Sequence, residues 1–256
     1  MAGLAAFLQG ELFGYFLVFA RLGAAIMLLP GFGEAFVSPR IRLMLALAIT
    51  FAVMPIVGDT LPRLPDEVLG LVVVLLSEVL IGLFIGALAR ILLAALQTAG
   101  TLIANFTSLA AAQVLDPTTA TPNTIPGNFL SIMAVLLIFV TDLHHVMLAA
   151  LVESYTMFPA GSPPPLNDFA DAASQLVSQG FALAFQLAAP LMVVTTVMQV
   201  GFGLLARLMP QMQVFFVGMP LQVLIGLIVF AVTLAAVMQW YLDRFAKPFA
   251  LISGGG

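Results

Sequence analysis

An all-α, membrane-associated fold with about six hydrophobic helical stretches, some broken or hairpin-like, is what this sequence predicts, and three observations carry the prediction. Hydrophobic residues make up 62% of the 256 residues against 8% charged, and mean hydropathy is +1.16. Eight basic and twelve acidic side chains are too few to build a soluble surface. The apolar residues fall in six runs, each close to or beyond the roughly 20 residues that cross a bilayer as a helix, and most of the connections between them are punctuated by Pro and Gly.

The first run covers residues 12–29 and carries Arg21 inside it, with no basic leader before it, which predicts an uncleaved helix that serves as its own insertion signal. The chain has no Cys and has Ala at position 2, so no disulfide, thiolate metal site or lipid anchor is predicted. A Pro30-Gly31-Phe32-Gly33 turn leads to Pro39, Arg40 and Arg42 at the start of the second run, 41–57. After a connection with Pro62 and Pro65 comes the third run, 68–103, too long for one straight span and predicted to bend or protrude. The fourth run is 130–152. Residues 153–179, with three consecutive prolines at 163–165 and an Asn167-Asp168 helix start, form the most solvent-facing piece. The fifth and sixth runs, 181–200 and 214–241, read as a hairpin over 181–241, with Gly201 and Gly203 interrupting its first arm.

Between the third and fourth runs lies a polar interruption at 100–129. It carries Asn105, Thr107, Ser108, Gln113 and Asp116 and is cut by Pro117, Pro122 and Pro126. Prolines leave backbone groups without a continuous helical ladder. Lipid cannot satisfy such groups, so irregular backbone at membrane depth must be buried in protein or line a water-filled path. A pore-lining or pore-closing element is one reading and an ordinary loop outside the bilayer the other. The apolar character of 106–115 and the single charge, Asp116, lean toward the first.

The net charge of −4 is scattered, with no basic excess to suggest nucleic acid as a partner. Six alternating spans would place Arg40, Arg42 and Arg207 on one side and Arg63, Arg244 and Lys247 on the other, so the positive-inside rule gives a tie. Arg21, Glu78 and Arg90 lie inside apolar runs, where an isolated charge costs a few kcal/mol. Glu78 and Arg90 are twelve residues apart, about 18 Å along a helix, and need partners from another helix or chain. Gly82 and Gly86 make a GxxxG step that favours close helix packing, although membrane helices are also simply rich in Gly.

Asp142, His144 and His145 raise the question of a metal or proton-relay site. Adjacent helical residues point about 100° apart and no second carboxylate lies nearby in sequence, so structural histidines are the favoured reading. No phosphate loop, HExxH or GxSxG occurs. The chain is therefore not predicted to be an enzyme, to bind a cofactor or to act on a small molecule.

Several motifs in order resemble the FliR family of the flagellar type III export gate, with its injectisome counterpart SctT. They are Pro39, Arg40, Arg42 and Leu43 after the first connection; Glu78, Gly82, Gly86, Gln97 and Gly100 in the third run; Asp116-Pro117 with Pro126 in the interruption; Asp142 to His145, where two of the family's four Asn-Gly-His-His positions differ; and Arg207, Pro210, Gln211, Phe215, Gly218, Pro220 and Leu221 near the end. Ala206, Gln213 and Met219 depart from the pattern.

The resemblance implies one gate domain over 1–256, set in the inner membrane at the flagellar basal body among FliP-type and FliQ-type subunits, with a FlhB-type subunit, passing unfolded export substrates. It implies that the interruption is a plug, carried by Phe106, Thr107, Ser108, Leu109, Gln113, Val114, Leu115, Asp116, Pro117 and Pro126. Arg40, Arg42, Glu78, Gly82, Gly86, Arg207, Pro210, Gln211, Gly218 and Pro220 would serve subunit packing or inter-chain pairing. Arg207 and Glu78 in particular would need partners on neighbouring chains. Where relatives are Gly-rich before Asp-Pro this chain has Ala110 to Ala112, which predicts a stiffer, more helical plug. An injectisome component is the alternative. A small-solute transporter would show paired interruptions in its two halves, and a purely structural scaffold is the third reading.

Overall fold

The computed structural model describes residues 2–110, 124–209 and 214–254, and all regular structure among them is helical. The helices are α1 (Ala2–Ile26), α2 (Pro39–Val57), α3 (Val68–Phe106), α4 (Ile125–Val140), α5 (Leu143–Met157), α6 (Leu166–Leu208) and α7 (Val214–Ile252), with a short 3-10 turn, Gly58–Thr60, after α2. In α1 the buried residues Phe13, Leu17, Leu22, Ala25 and Ile26 recur at helical spacing and supply one core face. The N-terminus of α2 is set by Ser38, whose Oγ accepts from the Ile41 N–H at 3.4 Å, and by Pro39 in the first turn, where a missing N–H costs nothing.

The chain forms two compact units, each assembled from separated stretches. One holds Met1–Ile91, Ile138–Leu176 and Phe245–Gly256; the other holds Leu92–Leu137 and Val177–Arg244. In the first unit the stacked pair Phe84 and Phe169 (3.9 Å, 2°) and the edge contact of Phe158 on Phe169 (5.3 Å) tie α3 to the start of α6 and the turn before it. In the second, α6 and α7 touch where a Cβ at Gly218 would lie 3.2 Å from the Phe202 ring.

The third run forms one helix of 39 residues, about 58 Å, nearly twice the hydrocarbon thickness and so long enough to protrude well beyond one span, one of the two outcomes expected of it. Four expectations change. The fourth run is two helices, α4 and α5, bent by 75° at Thr141 and Asp142. The bend comes from Asp142 in the left-handed region (φ 59°), which a short polar side chain tolerates better than most. The polar interruption is shorter than 100–129, because α3 continues to Phe106 and α4 begins at Ile125. Gly201 and Gly203 sit within α6 without ending it, and the expected solvent-facing piece contributes Ser154, Tyr155, Phe169 and Leu176 to the core.

Among the described residues four helices are long and apolar enough to cross a membrane, five if the bent pair counts as one span. Much of their apolar surface faces outward, including Phe51, Leu76, Phe181, Val197 and Val232. Exposed apolar area on this scale needs lipid or other chains to cover it.

Candidate functional site: a buried charge centre and the stems of the central segment

The first unit is organised around a buried ion pair. Arg21 on α1 and Glu78 on α3 are both fully buried, and the guanidinium grips the carboxylate with both arms of its fork, Nε to Oε2 at 2.7 Å and Nη2 to Oε1 at 3.1 Å. Nη1 donates to Ser154 Oγ at 3.2 Å and Nη2 also donates to the Phe158 carbonyl at 2.9 Å. The Gly161 N–H donates to Glu78 Oε1 at 3.3 Å, and the guanidinium carbon lies 3.8 Å above the Tyr155 ring. The pair thus joins α1, α3, α5 and the turn at 158–161, and its hydrogen bonds answer the cost of taking both charges out of water.

Local sequence explains how the pair meets. A Cβ on Gly82, one turn beyond Glu78, would run into the carbonyl of Arg21 itself, and one on Gly86 would lie 2.8 Å from Leu28 Cβ and 2.9 Å from Ala25 O. The GxxxG step therefore lets α3 lie directly on α1, and that contact delivers Glu78 to Arg21. Glu78, expected to need a neighbouring chain, finds its partner in its own. Arg90 pairs with Glu34 at 2.7 Å; that pair is partly solvated and correspondingly weaker.

The second unit holds both stems of the central segment. A Cβ at Gly100 on α3 would meet the Cα and N of Gly127 on α4, so the two backbones are in direct contact. Beyond that crossing α3 ends at Phe106. The Thr107 N–H and Oγ both bond to Ile103 O, at 2.9 and 2.7 Å, and Ser108 turns into the left-handed region (φ 61°). On the return side Thr124 Oγ accepts from the Gly127 N–H at 3.3 Å and opens α4, with Pro126 in its first turn. An apolar cavity of about 220 Å³ between the stems and α7 is lined by Ile103, Thr107, Leu109, Pro126, Phe129 and Phe230, among others.

The remaining site residues fall as follows. Phe106, Thr107, Ser108, Leu109 and Pro126 belong to the stems, while Gln113, Val114, Leu115, Asp116 and Pro117, and likewise Pro210 and Gln211, lie outside the described residues. Arg42 donates from Nε and Nη2 to Val37 O at 3.0 and 2.9 Å and so closes the turn before α2; Arg40 is exposed. Arg207 is exposed in the last turn of α6, where a cation complements the helix dipole, and Pro220 is exposed on α7. Asp142, His144 and His145 place one ligand atom each within 4.8 Å of one another at the elbow, because the left-handed residue brings the carboxylate back toward the rings. They are the described residues that could offer a metal three ligands. Asp142 and His145 are 75% and 69% exposed and face each other at 3.5 Å, while His144 packs on Phe139.

The profile of bacterial export proteins, family 1, matches residues 12–247, from the first apolar run into the last two turns of α7. The chain belongs to that family. Among curated members it is 42% identical over 231 residues to the flagellar biosynthetic protein FliR of Caulobacter vibrioides, covering 90% of this chain and 92% of that one. FliR of Bacillus subtilis is 29% identical over 87% of this chain and 86% of its own, and the Yop proteins translocation protein T of Yersinia pestis is 27% identical over 84% and 83%. In this family member the sequence reading missed Arg21 as the mate of Glu78, and Ser154 and Tyr155 around it. Two opposite charges in separate apolar runs were the available signal; nothing local marked Ser154.

Proposed function

We infer that this chain is a membrane component of the flagellar type III protein export apparatus. The observation that carries the inference is the end-to-end match to flagellar FliR at 42% identity, against 27% for the translocation protein of Yersinia. On this reading the chain sits in the bacterial inner membrane at the flagellar basal body with FliP-type and FliQ-type subunits and a FlhB-type subunit. It helps to form the path taken by unfolded flagellar proteins, and its own role is conduction and closure rather than chemistry. The outward apolar faces would then be shared between lipid and these neighbours. Arg40, Arg207 and Pro220, all exposed, are available for contacts with other chains.

Within that assembly the segment between the stems closes the path. Two features support this role: α3 and α4 touch at Gly100 and Gly127, so the segment leaves and returns at one place, and Pro117 and Pro122 in its sequence withhold backbone donors from any continuous helical ladder, a pattern that calls for protein or water rather than lipid around it. Deleting residues 107–124 is expected to leave the complex assembled and to make cells leaky to small ions and dyes. Normal assembly with membrane conductance at the wild-type level would exclude the closing role.

A further inference from the structure

We propose that Gln222 is the positioning residue that holds the outgoing stem of the central segment, with Gly226 as its seat. Gln222 lies on α7, is buried, and is a lone amide in an apolar stretch of helix, Pro220-Leu221-Gln222-Val223-Leu224-Ile225. Its Nε2 donates to the carbonyl of Phe106, the last residue of α3. Carbonyls in the last turn of a helix have no intrahelical donor, and leaving one unmet in an apolar site is costly, so this bond fixes where α3 stops. One turn further along α7, Gly226 lies directly under Thr107; its closest neighbours are Thr107 Cγ2 and Cβ, and any side chain there would displace the turn. The two contacts act on consecutive residues, Phe106 and Thr107, immediately before Ser108 takes its positive φ. A donor above and an absent side chain below thus hold the chain where it leaves the helix. Both lie on an arm of the α6–α7 hairpin, so a shift of α7 relative to α3 would release the stem.

The proposal rests on the closing role inferred for the segment, and the test separates the two. Because the chain has no Cys, Ser108→Cys gives this chain a single thiol at the half-buried turn. Maleimide labelling of that thiol in the assembled complex, read by the mass of this chain, reports the stem; conductance of the same cells reports closure. Gln222→Met keeps the shape and removes the donor, and Gly226→Ala displaces Thr107 by an independent route. Each is expected to raise the labelling rate by about tenfold, the change that follows from losing one buried hydrogen bond or its equivalent, and to raise ion leak with subunit co-purification unchanged. If whichever of these variants assemble label at the parental rate, the positioning role is wrong even where deletion of 107–124 leaks. If the deletion does not leak while Gln222→Met labels faster, the stem assignment stands and the closing role falls.

Discussion

Arg21→Ala is expected to destabilise the first unit by about 3–5 kcal/mol, the cost of leaving a buried charge without its mate. Glu78 would remain fully buried with only the Gly161 N–H to answer it, and Ser154 and the Phe158 carbonyl would lose a donor. Glu78→Ala should cost a comparable amount for the mirrored reason. Replacing both together, Arg21→Met with Glu78→Leu, should recover much of the loss, because an apolar pair of similar volume avoids the desolvation that the ion pair has to overcome. Recovery stays incomplete, since the turn at 158–161 is held by the same two side chains. Thermal unfolding of the detergent-solubilised chain measures all three variants. Single substitutions that melt like the parent, or a double variant that loses the sum of both, would remove the buried pair from its organising position.

Gly100→Ala is the second large effect, and its sign is decided by two opposed terms. Ala is the better helix former by about 1 kcal/mol, so in an uncrowded helix the change would stabilise. Here the new Cβ would fall on the backbone of Gly127, where no rotamer can move away, and α3 and α4 must separate. Overpacking of this kind costs about 1–3 kcal/mol or more, and it removes the contact that brings the two stems together. Gly127→Ala should be milder, because its Cβ would meet Thr124 Oγ at 3.0 Å and Gln97 O at 3.2 Å, contacts that a few tenths of an ångström relieve. The two variants are compared by melting and by ion leak. A stabilised Gly100→Ala chain, or two variants of equal severity, would contradict the direct crossing.

Much of the helical architecture is legible in the sequence because a bilayer imposes a coarse pattern: long apolar runs, few charges, prolines at the joints. What escaped depends on single residues. The elbow between α4 and α5 is encoded by the left-handed backbone of Asp142, which no apolar run reveals. Gly201 and Gly203 read as interruptions and Gly100 as the start of the central segment, yet each lies inside a helix, Gly100 at a backbone contact with a partner distant in sequence. The charges at Arg21 and Glu78 stand out as anomalies in the sequence, but their pairing spans 57 residues and depends on Gly82 letting α3 lie against α1. Gln222 carries no sequence signal, because an isolated amide in a helix has no pattern; its meaning comes from the helix end it faces.

The proposed place of this chain, inside a multi-subunit export gate rather than alone, is checked by affinity purification of the full chain from a mild-detergent extract with the co-eluting proteins quantified. FliP-type and FliQ-type subunits are expected in constant ratio to the chain, with thiols introduced at 106–126 protected from aqueous reagents in the intact complex. A chain recovered without companions, its central segment freely labelled, would contradict it.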